Sequence, residues 1–153
     1  MSIPNTIRFL ALALLFVQSA HAQPSLLQAR LSGEQVYKTV CVACHETGVA
    51  HAPKFGDRAD WAPLIEEGQN VLTAHAWVGV RAMPARGGST ELSLADFARG
   101  VAYMARASGA NWQDPDAKLL LQIVKEADKR LTGSIREQRA MQRELHKIAR
   151  PAR

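Results

Sequence analysis

The stretch Cys41-Val42-Ala43-Cys44-His45 contains both cysteines of a 153-residue chain, and three chemistries use a cysteine pair so spaced. A dithiol redox site belongs at the start of a helix in a βαβ unit, and no such unit can be read around this one. A zinc site needs further ligands, and no second cysteine pair exists to supply them. The third chemistry is covalent haem attachment. Two thiols add across the vinyl groups at one porphyrin edge, and the adjoining imidazole reaches the iron. The adjacency of His45 to Cys44 is what that geometry demands, so the motif predicts one covalent haem c per chain, with Cys41 and Cys44 as thioethers and His45 as the proximal ligand.

The sequence on either side predicts helices. Ser32-Gly33-Glu34-Gln35 is a capping box, and Val36, Tyr37 and Val40 follow at helical spacing, giving a helix over 33–41. The run 44–56, rich in Gly, Ala, Pro and His, reads as loop. Asp60 is expected to cap a helix through Glu67, and Asn70 a second over 71–78. A loop over 80–90 carries Pro84 and Gly87-Gly88. Ser93 then opens a longer helix to Arg106, with Leu94, Phe97, Val101 and Met104 as its apolar stripe. No run alternates as a half-buried strand does, so the core is all-α.

A haem iron held by one imidazole has a sixth position. Met83 leads the candidates, because a Pro- and Gly-punctuated loop can wrap over the far face of the ring. Met104 sits on a helical apolar stripe and reads as core. His51, only six residues after His45, cannot easily pass to the opposite face. His75 lies on a helix between Ala74 and Ala76 and reads as a surface residue. An open sixth position is the remaining alternative.

Residues 1–22 have the layout of a secretory signal: Arg8, an apolar run from Phe9 to Val17, and Ala20-His21-Ala22 before the cleavage point. That run is about half of the ~20 residues that a membrane span needs. The expected organisation is thus a signal over 1–22, a haem domain over 23–109 and a basic amphipathic helical extension over 110–153. The formal net charge is +5. It resides in the extension, where ten Lys/Arg face four Asp/Glu from Lys118 onward, against nine and ten before it. A nucleic-acid partner for the whole chain is therefore not expected. Asp114-Pro115 is read as the start of the extension's helix. Leu120, Val124, Ala127, Leu131, Ser134, Gln138, Met141, Leu145 and Ile148 step along it as a heptad seam. Such a helix can associate with a partner or a second copy, fold back on its own domain, or lie on a membrane. The seam lacks aromatic residues, so membrane contact is the least expected.

Taken together, these residues resemble the bacterial cytochromes c5, small class I c-type cytochromes. The resemblance is carried by Gly33, Val36-Tyr37, Cys41-x-Ala43-Cys44-His45, Ala52-Pro53-Lys54-Phe55-Gly56-Asp57 and Trp61-Ala62-Pro63. It continues through Met83-Pro84, Arg86-Gly87-Gly88 and Ala102-Tyr103-Met104. It implies an all-α class I cytochrome c fold around one haem, to which this chain adds a C-terminal helical extension. It further implies His45 as proximal and Met83 as distal ligand. The carbonyl of Pro53 would orient His45, and Trp61 would stand beside the haem edge, with core packing as its other reading. Gly33 would let the first helix cross the last one near Tyr103. Family members often carry a second cysteine pair after the Gly-Gly; here Ser89 and Leu92 stand near those places. Met-Pro-Pro is also reduced to Met83-Pro84-Ala85. The implied function is a periplasmic electron carrier, not an enzyme, working between larger redox proteins. Two alternatives remain: an electron-entry subunit of a redox complex, and a ligand-binding or sensory haem protein if the Met83 loop yields.

Overall fold

A computed structural model describes residues 31–149, and the leader expected over 1–22 lies outside them. Among the described residues the secondary structure is helical, apart from one isolated bridge between Val80 and Met83. Ser32 caps α1 (Gly33–Val36) through a complete capping box with Gln35. The helix does not stop at Cys41, as the sequence suggests. It passes through a π-helical turn, Tyr37–Cys41, into α2 (Val42–His45). The wider turn, closed by the Val42 N–H on the Tyr37 carbonyl, adds a residue without breaking the helix. Cys41, Cys44 and His45, spaced by three and four, therefore share one helical face.

Three caps differ from expectation, each for a local reason. Asp57, not Asp60, caps α3 (Arg58–Glu66), accepting from the N–H groups of Ala59 and Asp60. Asp60 instead accepts from the Lys54 N–H at 3.1 Å, tying the haem-side loop to α3. Gly68, with φ +91°, precedes α4 (Gln69–Val78) where Asn70 was expected to cap. Asp116 caps α6 (Ala117–Ile148), because Asp114 is taken up by Arg106 at 3.1 Å. Ser93 caps α5 (Leu94–Ala107), as its sequence indicates.

The crossing of α1 and α5 is the mechanical centre of the fold. A Cβ on Gly33 would collide with the Arg99 carbonyl oxygen and stand 2.7 Å from Tyr103 Cβ. One on Gly100 would stand 2.6 Å from Val36 Cγ1. Glycine on both helices is what lets the two backbones approach. Around this crossing Val36, Phe97, Val101 and Met104 form the first core cluster, with Trp61 and Leu72. A second cluster joins Ala74 of α4, Leu94 and Ala98 of α5, and Leu120, Ile123 and Ala127 of α6, and Trp77 packs against both. The start of α6 is therefore part of the core. Its buried stripe takes Ile123, fully enclosed, in place of the expected Val124, which is 41% exposed. A helix lying on a globular surface keeps its 3.6-residue period, and α4 sets its phase.

Candidate haem site

Between α2, α3, α4 and the 80–84 loop lies a cavity of about 440 Å³, within the size range of ligand and cofactor pockets. Cys41, Cys44, His45, Pro53, Trp61 and Met83 all line it. All six sequence-derived site residues thus meet at one place.

Cys41 is buried and Cys44 is exposed, so the pair runs from the cavity wall to its rim. Burial pushes the Cys41 thiol up to about 11. His45 is 7% exposed, and its Nδ1 lies 2.8 Å from the Pro53 carbonyl. A carbonyl can only accept, so Nδ1 carries the proton and Nε2 keeps its lone pair for a metal. The loop that supplies Pro53 is itself pinned to this helix: the Phe55 N–H donates to the His45 carbonyl at 2.7 Å. Trp61 belongs to the core and also borders the cavity. It is 3% exposed, with its Nε1 donating to the Lys54 carbonyl at 2.8 Å.

Behind the helix that carries the two cysteines, Tyr37 stacks on Phe55 at 4.3 Å, and Phe55 on Tyr103 at 5.5 Å. The Tyr37 hydroxyl donates to Glu46 at 2.9 Å. Burial, reinforced by that carboxylate, pushes the phenol up to about 12, so it remains a donor across the ordinary pH range.

Met83 sits on a tight turn closed by two backbone bonds, Val80 N–H to Met83 O at 3.1 Å and Met83 N–H to Val80 O at 2.9 Å. Gly79 makes the entry to the turn, with φ +92° and its Cβ position 3.0 Å from Ala85 N. A side chain there would be strained and crowded together. Beyond the turn, the Arg86 guanidinium lies over the Trp77 ring at 4.6 Å.

The alternative ligands also line the cavity. His51 is exposed on its rim. His75 is no free surface residue: its side chain is 23% exposed and its Nδ1 lies 3.0 Å from Glu67 Oε2. Met104, 2% exposed, forms part of the floor. Sequence reading missed the His75–Glu67 pair and the apolar wall from Leu72, Ala76 and Leu64. The only available signal was the placement of Leu72, Ala76 and His75 at three- and four-residue steps on one helix.

This donor set fits a haem. Two thiols stand at one edge of a mostly apolar cavity, with an imidazole of fixed tautomer beside them and a thioether on a separate loop. The comparisons with known proteins agree. The family model described as "Cytochrome C oxidase, cbb3-type, subunit III" matches residues 28–104. The chain belongs to the bacterial class I c-type cytochromes, and its all-α fold is the class I cytochrome c fold with an added C-terminal helix. Cytochrome c-555 of Chlorobaculum thiosulfatiphilum is 43% identical over 77 residues, which are 48% of this chain and 90% of that one. Cytochrome c5 of Azotobacter vinelandii is 39% identical over 64 residues, 40% of this chain and 77% of the other. A chain from a solved structure described as "Crystal structure of electron transfer complex of nitrite reductase with cytochrome c" is 43% identical. It aligns over 53% of this chain and 99% of its own, with a TM-score of 0.49. The cofactor of the family is haem c, covalently attached. Among the described residues, no helix is long and apolar enough to cross a membrane.

Proposed function

We propose that this protein carries single electrons between larger redox proteins in the periplasm. Its haem is bound through Cys41 and Cys44 and ligated by His45 and Met83. The observation that carries the reading is the convergence of these four side chains on one apolar cavity. When bound, haem supplies a reversible one-electron couple. The chain's own residues set the conditions for it. Pro53 holds the His45 ring and its tautomer, and the methionine thioether favours the ferrous state, raising the potential relative to two imidazoles. With His45 and Met83 both serving as ligands, the bound haem would keep no site for a substrate, so the role is transfer and not catalysis. Cys44, Val49 and His51 are exposed on the cavity rim, and this is the edge across which a redox partner exchanges the electron. Export through the leader over 1–22 accounts for attachment in that compartment.

Absorption spectra of the purified holoprotein, oxidised and reduced, test the ligand set. The expected result is a low-spin haem with a methionine–iron charge-transfer band in the oxidised form and no response of the reduced form to carbon monoxide. A high-spin or carbon-monoxide-binding haem would overturn the assignment of Met83 and favour a ligand-binding protein.

A further inference from the structure

Past Ala127, α6 leaves the core but keeps its apolar stripe. Leu131, Ile135, Met141, Leu145 and Ile148 are 47–80% exposed, along roughly 30 Å of free helix at 1.5 Å per residue. A stripe of this length, uncovered among the described residues, marks an interaction surface. We propose that it is covered by the same stripe of a second copy of the chain, running antiparallel.

The order of residues along the seam selects this occupant. One edge reads Val124, Leu131, Gln138, Leu145, and the other Ser134, Met141, Ile148, which continue the line of the core residue Ala127. An antiparallel partner that sets its Met141 against Leu131 also sets its Gln138 against Ser134 and its Ile148 beside the half-exposed Val124. Polar meets polar and apolar meets apolar in each of these layers. A slip of one heptad either way places Leu131 against Ser134, or Gln138 against Met141. The central polar layer thus fixes the register at some cost in stability.

Charge selects the direction. In the antiparallel register Arg130 of each copy flanks Glu144 of the other, twice by symmetry, and Asp128 flanks Gln142. Glu144 already meets Lys147 through Oε1 at 2.9 Å, which leaves Oε2 for the arginine. The one like-charge meeting is Glu137 against itself. A parallel pair matches the same layers but sets Arg130 beside Ile135 and Glu144 beside Ala149, with no ion pair. The exposed cations Lys129, Arg136 and Arg143 recur every seven residues on the side away from the seam, so they do not oppose pairing. The stripe also suits a membrane poorly, because it has no aromatic anchor.

The test is sedimentation equilibrium of the full-length holoprotein, followed at the haem absorbance, with surface variants whose unchanged haem spectrum reports folding. A reversible dimer is expected for the wild type. R130E and E144R should each raise its dissociation constant about tenfold, and R130E/E144R should restore it. A wild type still monomeric at about 100 μM would overturn the proposal, as would a double variant no tighter than either single. A monomer that co-sediments with phosphatidylglycerol vesicles would overturn it in favour of a membrane role.

Discussion

The two sides of the cavity are built differently. The attachment side is a helix: Cys41, Cys44 and His45 lie within five residues on one face. That helix is locked by the α1–α5 crossing, by the Tyr37–Phe55–Tyr103 stack and by Pro53. The Met83 side is a loop held by one closed turn, Gly79, and the Arg86–Trp77 contact. The contrast separates two duties. On the proposed ligand set, the rigid wall would fix where the cofactor sits, and the softer wall would set how firmly its sixth position is filled. Damage to the first should cost the cofactor, and damage to the second only the ligand.

The sharpest break is the double substitution Cys41→Ala with Cys44→Ala. It should abolish covalent attachment, seen as loss of haem staining after denaturing electrophoresis. Attachment surviving in that variant would remove the motif from its assigned role. Next comes Gly33→Ala. The added methyl meets the backbone of Arg99 and the Cβ of Tyr103, neither of which can yield as the far end of a flexible side chain would. Denaturant titration should show a loss of about 2–3 kcal/mol with the haem spectrum unchanged in the folded fraction. Met83→Ala should keep the haem and its covalent bonds. The methionine–iron band should vanish, the potential should fall, and carbon monoxide should bind the reduced form. If the band persists, a different side chain supplies the sixth ligand.

The attachment wall was the more legible in sequence for the same physical reason that it is rigid. Chemistry that needs two thiols and an imidazole within five residues leaves a contiguous signature, and helical periodicity then fixes their common face. Features settled by tertiary partners were not legible. Asp57 and Asp60 are equally good caps by type, and only the Lys54 N–H waiting for Asp60 decides between them. Asp114 loses the cap of α6 to an arginine on the preceding helix. The π-helical turn at Tyr37–Cys41 has no residue signature, so the helix seemed to end early. The heptad reading of α6 chose Val124 over Ile123, because its phase depends on α4, which periodicity within α6 cannot reveal. Helical spacing alone leaves His75 on the surface, because its partner Glu67 lies across a helix boundary.

The smallest expected effect probes the soft wall. The Arg86 guanidinium over Trp77 is a non-covalent tie between the Met83 loop and α4. Such a contact contributes about 0.5–1 kcal/mol at an exposed site, too little to alter folding but enough to shift a loop equilibrium a few-fold. Arg86 also holds a φ of +56°, which is costly for any residue with a Cβ, so Arg86→Ala would lose the tie and keep the strain. Arg86→Gly loses the tie and relieves the strain, separating the two. If the guanidinium holds the loop, added imidazole should displace the methionine from the oxidised haem, read as loss of its charge-transfer band, at a few-fold lower concentration in both variants, with Arg86→Lys in between. If backbone strain is the controlling feature, Arg86→Gly should instead need no less imidazole than the wild type, and the two walls would differ less than their construction suggests.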